Sequence, residues 1–588
     1  MQSSPNSMAP NPPAIAEAWL QTFGDVLAAG DVSGAVSCFT PNGYLRDILV
    51  FTWNNRTSAG RARIAAYLSD TLKPASIRAI QIDTRSHLTP EFGQVTHAAS
   101  GVSAGFTFET AVGHGQGYFS LVEDSDAAGG WKALTVFMML TDIRGHEESG
   151  PEKGVYNGHT IPWHDVHRER REEIERNPHV LIIGGGQNGL IVGARFRQMN
   201  IPTLIVETNE RIGDNWRKRY PTLTLHTIKN HHPMLYQPYP ENWPIYTPRD
   251  KLADWLEQYA VSQDLVCWTN ARPLPTPTYD AAAKRWTVII DRAGTRVTLH
   301  PAHIVLATGT LGAPYIPTIP DAHLFRGTAL HVAAYTGGKP FAGQRTLVVG
   351  AGNSAADMCQ DLAFQGAASV TMLQRSSTCV IGVESVTHRH ARGWPPGVPT
   401  EVADFKSQAV PYLLLRESGK ATTEAMWEEE AETHRGLREA GLSLTMGQEG
   451  EGLIAMSFQR FGGYWLDVGV AELIRTGGVK IKQGVEIARF TESGVVFTDS
   501  SSLAIDAVIY ATSYESARDT MRGLFGDAII DQTSVVWGTD EEGELNGCYR
   551  PSGHPGLWFA AGDFSISRFR SKQLALEIKA IELGLLTL

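Results

Sequence analysis

The sequence has few cysteines, and none of them is spaced as a functional pair. Its five cysteines, Cys38, Cys267, Cys359, Cys379 and Cys548, are scattered along 588 residues, and no two of them have CxxC spacing. This excludes zinc-knuckle and dithiol redox patterns and gives no support for a disulfide framework. We therefore expect an intracellular protein in a reducing compartment, without a bound metal.

Basic residues and long apolar runs are also scarce. The chain has 51 Lys and Arg against 62 Asp and Glu, a net charge of −11. This balance argues against nucleic-acid binding, which needs clustered cations. No apolar run is long enough to span a membrane, and the N-terminus lacks the charged-then-apolar pattern of a signal peptide. We expect a cytoplasmic protein with neither a nucleic-acid partner nor a transmembrane segment.

The length predicts several domains, since single cores rarely grow beyond about 250–300 residues. Residues 1–13 are rich in Ser, Pro and Asn, which is typical of a disordered tail. Residues 14–143 start with helical patterns and continue with strands such as 106–108 and 134–140, which predicts a small α+β domain. Residues 144–177 predict a linker, because 164–176 are nearly all charged and the flanks carry Gly, Pro and Asn. The remainder alternates strand and helix, interrupted by a helical insertion at 380–460.

The first glycine turn follows a short apolar run and is typical of a dinucleotide site. Residues 180–183 have the pattern of a buried strand and lead into Gly184, Gly186 and Gly189 of a G-x-G-x-x-G motif. These glycines suit a tight turn, a close approach of pyrophosphate to the backbone, and packing of the next helix. The next predicted strand ends at Glu207, where a carboxylate can bind ribose hydroxyls. The pattern predicts a binding site for FAD.

A second glycine turn repeats this logic but ends differently. Gly350 and Gly352 follow another apolar run, and Ala355 takes the place of the third glycine. The next predicted strand ends in Arg375, which suits the 2′-phosphate of NADPH, whereas an acid would repel it. The predicted NADPH-binding residues are Gly350, Gly352, Asn353, Ser354, Ala355, Arg375 and Ser376.

The segment between the two turns carries a four-position signature. Phe325, Gly327, His331 and Tyr335 match the pattern F-x-G-x-x-x-H-x-x-x-Y. Together with the paired turns, it resembles the identifier of the flavin-containing monooxygenases, in particular the branch that includes the plant YUCCA-type enzymes. Related Baeyer–Villiger monooxygenases typically end this signature in Trp, so Tyr335 favours the first group. The resemblance covers about residues 178–588.

Other segments are similar to those of the family and follow in the same order. Residues 213–217 resemble its G-G-x-W segment, and residues 511–514 resemble its ATGY segment with Ser513 in place of Gly. Some members carry an active-site Asn after the Trp segment, which makes Asn230 the candidate catalytic residue. The resemblance implies that FAD is bound by Gly184, Gly186, Gln187, Asn188, Gly189, Glu207, Trp216, Arg217, His226, Thr308, Gly309 and Asp563.

The resemblance implies an α/β fold with two nested Rossmann-type domains. The FAD-binding domain would span residues 178–340 and 513–588, and the NADPH-binding domain residues 341–512. The implied activity, in secondary metabolism, is an NADPH- and FAD-dependent monooxygenation of a small organic substrate by molecular oxygen, through a C4a-hydroperoxyflavin. Baeyer–Villiger insertion, oxidative decarboxylation of a 2-oxo acid and a non-catalytic nucleotide-binding scaffold stay open. A disulfide reductase needs a redox cysteine pair, which the cysteine spacing does not offer.

Three short segments ahead of the turns are similar to a second family: A-G-D at 29–31, C-F at 38–39 and G-R-A-R-I at 60–64. They resemble the α+β cone of the SnoaL-like superfamily, shared with nuclear transport factor two. Asp47 falls where ketosteroid isomerases of this superfamily place their general base, but Phe23 replaces the tyrosine of their oxyanion hole and offers no donor. We therefore expect a structural, homodimerising or cavity-capping domain rather than an isomerase.

Overall fold

The computed structural model describes residues 10–124 and 130–588, and its N-terminal unit starts with helices. Residues 1–9 of the predicted tail lie outside the described residues, and the first helix begins at Pro12, before the predicted end of the tail. Asn11 caps this helix by accepting a hydrogen bond from the N–H of Ala14, and the left-handed Gly30 ends it. The helices of this unit are α1 (Pro12–Ala29), α2 (Val32–Ser37) and α3 (Arg61–Ala75).

One mixed sheet packs against these helices. Its strands are β1 (Phe39–Ile48), β2 (Asn55–Ala59), β3 (Arg78–Ile82), β4 (Glu91–Gln94), β5 (Ser100–Glu109), β6 (Gly113–Asp124) and β7 (Gly130–Ile143). The order is β2-β1-β7-β6-β5-β3, with β4 beside β5; β1 and β7 run parallel, and the other neighbours are antiparallel. The strands predicted at 106–108 and 134–140 lie within β5 and β7, and side chains such as Phe23, Phe106 and Phe119 form the core against the helices.

A charged helix separates this unit from the first α/β unit. Helix α4 (Trp163–Arg176) lies in the predicted linker and buries none of its side chains. The sheet that follows is wholly parallel, in the order β10-β9-β8-β15-β28. Its elements are β8 (Val180–Ile183), α5 (Gln187–Gln198), β9 (Thr203–Val206), α6 (Asp214–Arg217), α7 (Arg249–Ser262), β10 (Val266–Trp268), β15 (His303–Leu306), β28 (Leu557–Phe559) and α18 (Phe564–Glu582).

A second parallel sheet lies in the chain between β15 and β28, so the two α/β units are nested as predicted. Its order is β17-β26-β18-β19-β22. The elements are β17 (Thr328–His331), β18 (Arg345–Val349), α8 (Asn353–Phe364), β19 (Ser369–Gln374), α14 (Val470–Arg475), β22 (Val479–Gln483) and β26 (Ala507–Tyr510). The predicted boundary at residue 341 is too late, because β17 pairs with β26 of the second sheet. Strand β17 is a partly exposed edge strand, so its sequence lacks the apolar pattern of the inner strands.

The helical insertion predicted at 380–460 lies between two short paired strands. These strands, β20 (Cys379–Gly382) and β21 (Tyr464–Asp467), run parallel to each other. The helices between them are α9 (Val383–Gly393), α10 (Thr400–Ala409), α11 (Tyr412–Glu429), α12 (Ala431–Glu439) and α13 (Gly452–Arg460).

Smaller elements complete the two α/β units. A ribbon formed by β16 (Leu311–Pro314) and β27 (Tyr514–Ser516) connects them. The remaining strands and helices are β11 (Ala271–Pro273), β12 (Thr278–Asp280), β13 (Arg285–Arg292), β14 (Thr295–Leu299), β23 (Ile487–Thr491), β24 (Gly494–Phe497), β25 (Ser502–Ala504), α15 (Ala517–Thr520), α16 (Arg522–Phe525) and α17 (Asp527–Ile530).

The N-terminal sheet packs directly on the first α/β unit. Phe137 of β7 contacts Phe405 of α10 and Phe569 of α18, with ring centroids 5.5 and 6.3 Å apart. Side chains of both units belong to one continuous hydrophobic core. The N-terminal unit is therefore an integral part of the molecule, because separating it would expose a shared apolar surface.

A buried ion pair fixes this contact. Arg46 of β1 donates from Nε and Nη2 to the two carboxylate oxygens of Glu544, at 2.6 and 2.9 Å, and Arg570 of α18 donates to Glu544 at 3.3 Å. Burial raises the pKa of Glu544, but the charges of Arg46 and Arg570 and their hydrogen bonds outweigh it and lower this pKa to about 2. Glu544 is therefore ionised between two buried cations.

We expect Glu544→Gln to lower the free energy of unfolding by about 3–5 kcal/mol at pH 7, because it leaves buried cations uncompensated. The folded pKa of Glu544 lies below its unfolded value of about 4.3. The carboxylate therefore stabilises the fold above pH about 4.3, and this contribution is lost as the pH falls towards 2. Urea unfolding of wild type and variant at pH 7 and pH 3 measures both effects.

Glu542→Gln is the matched control, because Glu542 pairs with the half-exposed Arg56. This substitution should lower the free energy of unfolding by under about 1 kcal/mol. Equal losses for the two variants at pH 7 would contradict the role of the buried pair.

Candidate functional site

The first glycine turn connects β8 to α5, and its three glycines have different constraints. Gly184 has a φ of 111°, in the region that favours glycine. A Cβ on Gly189 would lie 2.0 Å from the carbonyl oxygen of Gly184, so this position needs glycine for packing. A Cβ on Gly186 would meet only the side chain of Asn215, at 3.2 Å. Gly186 therefore leaves its backbone open to a ligand at the N-terminus of α5.

Glu207 lies directly after β9 and is held against this turn. Its Oε2 accepts a hydrogen bond from the N–H of Gly185 at 2.8 Å, and its Oε1 accepts two from Asn209. Asn188 of α5 donates to the carbonyl oxygen of Gly562 at 3.1 Å, which ties the turn to the loop before α18. The carboxylate is thus fixed where the sequence predicts ribose binding.

Two of the predicted FAD-binding residues have charged protein partners. Arg217 makes ion pairs with Asp214, Asp254 and Glu257, and His226 lies 3.6 Å from Asp357. Neither lines the cavity described below, and their role in FAD binding stays a prediction. The arginine following the Trp looked available in the sequence because its partners on α7 lie more than thirty residues away.

The second turn has the same geometry as the first. Gly350 has a φ of 127°, and a Cβ on Gly352 would find its nearest neighbour, the carbonyl oxygen of Tyr464, at 3.7 Å. Asn353 accepts a hydrogen bond from the N–H of Leu466 and so holds β21 rather than facing a ligand. Helix α8 begins here, with Ala355 buried and Ser354 facing the cavity.

Arg375 and Ser376 follow β19 and are exposed beside this turn. The guanidinium of Arg375 lies 3.2 Å from Glu486 in an exposed ion pair. Such a pair costs little to open, so the arginine can reach a bound phosphate.

The four-position signature ties loops together. His331 donates from Nε2 to the carbonyl oxygen of Ser513 at 3.0 Å and accepts at Nδ1 from the N–H of Ala333. Tyr335 donates to the carboxylate of Asp361 on α8 at 2.7 Å. A Cβ on Gly327 would lie 2.2 Å from the carbonyl oxygen of Asp506, and Phe325 packs on Phe490. The signature therefore fastens the crossing between the two sheets.

One cavity of about 1580 Å³ joins the two turns. The first turn contributes Gly186 and Gln187, with Glu207 and Trp216 beside it, and the second contributes Ser354. Thr308, Gly309 and Asp563 lie in its floor. Two further walls come from the N-terminal sheet, with Tyr118 and Glu91, and from the insertion, with His390, Trp394 and Lys406. The cavity is large enough for a dinucleotide and a small molecule together.

An aromatic corner of His231, His390 and Trp394 stands beside Asp563. His231 is buried, with its ring centroid 4.5 Å from Trp394 and 5.2 Å from His390. Its Nε2 lies 3.7 Å from Asp563, whose Oδ1 caps α18 by accepting from the N–H of Ile566. Burial is the main cause that lowers the pKa of His231 well below its usual value, so the ring is neutral at pH 7.

The corner contains cavity-lining residues that the sequence did not indicate as site residues. The predicted catalytic residue Asn230 lines an adjoining, smaller pocket of about 210 Å³ rather than the main cavity, and its catalytic role stays a prediction. Its neighbour His231 faces the cavity instead. His390 and Trp394 come from the insertion, where no local motif marks them.

Two nested sheets, each with a glycine turn at the same cavity, define an α/β oxidoreductase that binds two dinucleotides. The chain belongs to the flavin-binding monooxygenase-like family, whose model matches residues 179–522, more than half of the chain. The predicted family, and with it a monooxygenase that uses FAD and NADPH, is confirmed for this part of the chain.

Individual relatives agree with this assignment. The chain is 29% identical over 353 residues to indole-3-pyruvate monooxygenase YUCCA1 of Oryza sativa subsp. japonica, covering 59% of this chain and 79% of the relative. It is 30% identical over 345 residues to YUCCA8 of Oryza sativa subsp. indica, covering 57% and 76%. Its fold is similar to a crystal structure of cyclohexanone monooxygenase with bound ε-caprolactone, with a TM-score of 0.50 at 16% identity, over 70% of this chain and 89% of that one.

Two further observations concern the disulfide-reductase alternative and membrane-spanning helices. All five cysteines are free, and Cys359 and Cys548 are fully buried with their pKa raised by burial, so their thiols are protonated rather than reactive. Within the described residues, every helix is too short or too polar to cross a membrane.

The two glycines of the first turn give a paired prediction. Gly186→Ala should fold like the wild type but bind FAD at least about tenfold more weakly, because its methyl group occupies the space of the pyrophosphate. Gly189→Ala should lower the melting temperature, because its Cβ would collide with the backbone. Full FAD content in Gly186→Ala, measured by absorbance per chain, would contradict the assignment of the turn.

Proposed function

We propose that FAD lies along the first turn and NADPH along the second, and that a small organic substrate occupies the part of the cavity bounded by the N-terminal sheet and the insertion. The observation that carries this proposal is the single cavity, which joins both turns to these two outer walls. When bound, FAD would supply the hydride-accepting and oxygen-activating chemistry, and NADPH would supply the reducing equivalents. The protein's part is to hold the three partners together and to exclude water.

For FAD, we assign the pyrophosphate to the backbone at Gly186 and the N-terminus of α5, and the ribose hydroxyls to Glu207. Asp563 lines the same cavity, with its side chain 41% exposed, and suits the ribityl chain. For NADPH, we assign the pyrophosphate to Gly352 and the N-terminus of α8, and the 2′-phosphate to Arg375 and Ser376. Ser354 at the start of α8 lines the cavity that both cofactors would share.

The purified protein should be yellow, and NADPH should bleach its flavin under nitrogen faster than NADH does. Arg375→Gln should reduce this preference by about tenfold or more, because it removes the cation for the 2′-phosphate while leaving the turn intact. Stopped-flow absorbance measures both rates. A colourless protein that takes up no FAD would overturn the proposal. NADPH-dependent oxygen uptake separates the enzyme from a non-catalytic scaffold.

Product analysis decides between the types of oxygenation. Mass spectrometry on a substrate panel distinguishes simple oxygen transfer from Baeyer–Villiger insertion, which also adds one oxygen atom but breaks a carbon–carbon bond, and from oxidative decarboxylation, which releases carbon dioxide. Tyr335 in the signature argues against Baeyer–Villiger insertion but does not distinguish the other two outcomes.

We further propose that the N-terminal unit is a SnoaL-like domain that caps the cavity. Tyr118 of β6 faces the cavity, and its ring packs on Phe405 of α10 with centroids 6.2 Å apart. Lys406 lies over the ring of Tyr118 and pairs with Glu91 at 2.6 Å. These contacts join the domain to the insertion across the cavity. A homodimer would have to use another face of the domain, because the catalytic part covers this one.

The contacts of Asp47 support capping over isomerase activity. Its carboxylate accepts hydrogen bonds from the N–H groups of Val50 and Phe51, at 2.9 and 3.2 Å, and from the hydroxyl of Tyr67 at 2.6 Å. Burial raises the pKa of Asp47 to about 7. Asp47 is fully buried and fastens the loop after β1, while Phe23 is a core residue stacked on Trp19. A general base needs access to a substrate, which this site does not give.

Opening the capping wall should admit water to the flavin. We expect Tyr118→Ala to keep its FAD but to release several times more hydrogen peroxide per NADPH oxidised than the wild type, because water exclusion is lost. Tyr67→Phe is the control, since its hydroxyl contacts Asp47 inside the N-terminal domain and should leave peroxide release unchanged. Peroxide release at wild-type levels in Tyr118→Ala would argue against a capping role.

A further inference from the structure

His390 of α9 presents a nitrogen to the cavity that the proposed function leaves unused. Its Nδ1 lies 2.9 Å from the carbonyl oxygen of Val386. A carbonyl oxygen can only accept, so Nδ1 carries the hydrogen and a neutral ring has its lone pair at Nε2. This nitrogen has no hydrogen-bond partner among residues 10–124 and 130–588. Burial is the main cause that lowers the pKa of His390, which keeps the ring neutral at pH 7.

The surroundings of His390 are flat and rigid. Trp394, one helical turn further along the chain, lies nearly parallel to it, with an interplanar angle of 28°. Trp394 is fixed in turn, because its Nε1 donates to Asp404 at 2.8 Å, and Asp404 is held by Arg568 in a buried, two-fold hydrogen-bonded ion pair. The corner therefore offers aromatic surface and one acceptor next to Asp563.

We propose that His390 determines substrate specificity by accepting, at Nε2, a hydrogen bond from an N–H or O–H group of a ring-bearing substrate. This inference rests on the proposed function, in which Asp563 marks the flavin end of the cavity. The ring of the substrate lies against Trp394 and His231, and its donor group points to His390. A substrate in which this group is methylated loses the hydrogen bond and leaves the half-buried acceptor of His390 without a partner from the substrate.

Two probes of similar shape test the acceptor directly. 2-Naphthol carries a hydroxyl donor, and 2-methoxynaphthalene lacks it. Titration of the FAD-loaded full-length enzyme, followed by the change in flavin absorbance, should show roughly two- to tenfold tighter binding of 2-naphthol. Wild-type enzyme that binds both probes equally, or binds neither, overturns the proposal.

Substitutions at position 390 test whether the preference for 2-naphthol depends on the acceptor of His390. His390→Phe keeps a ring but has no acceptor and should bind both probes equally, whereas His390→Gln keeps an acceptor oxygen and should retain a preference. His388→Phe is the control, because His388 is exposed on the same helix. A preference that survives in His390→Phe, or one that disappears in His388→Phe, contradicts the role of His390. FAD content and bleaching by NADPH, measured on the same samples, test the proposed function separately.

Discussion

Buried charges on a single helix organise the rest of this structure. Helix α18 carries Asp563 at its N-terminus, Arg568 one turn later and Arg570 after that, and both arginines are engaged with other parts of the chain. Arg568 pairs with Asp404 of the insertion, and Arg570 shares Glu544 with Arg46 of the N-terminal sheet. Removing one member of a buried pair leaves an uncompensated charge, which costs several kcal/mol. The positions of both outer walls are therefore coupled to this helix.

This coupling explains how a cavity built from distant segments can have a defined shape. Asp563 stands at the end of α18 that faces the cavity, so the same helix that anchors the walls also positions the carboxylate that we propose for the ribityl chain. The anchors are directional hydrogen-bonded pairs, and they set the orientation of the walls more narrowly than apolar packing alone. Trp394 is attached to one of these pairs through Asp404, which carries the rigidity of the helix into the substrate part of the cavity.

The sequence predicted those parts of the site that depend on backbone geometry. The turns at Gly184 and Gly350 need positive φ and close approach, so their residues recur in a short pattern that can be recognised locally. The roles of individual side chains were harder to predict. Arg217 looked free because its partners on α7 are distant in the chain, and the resemblance that indicated Asn230 did not indicate the neighbouring His231, which lines the main cavity. The domain boundary at residue 341 was predicted too late in the chain because the edge strand β17 has little apolar pattern.

His390 shows why substrate contacts are difficult to find in a single sequence. A cofactor turn must present several backbone groups at once, so neighbouring residues carry the signal. A substrate wall needs only isolated side chains at the correct place, and the fold can supply these from any segment. Here they come from β6, from the loop before α7 and from the insertion, which meet because α18 holds them. The cofactor sites can therefore stay unchanged while substitutions in these separate walls alter the substrate, since no wall residue contributes to the backbone of either turn.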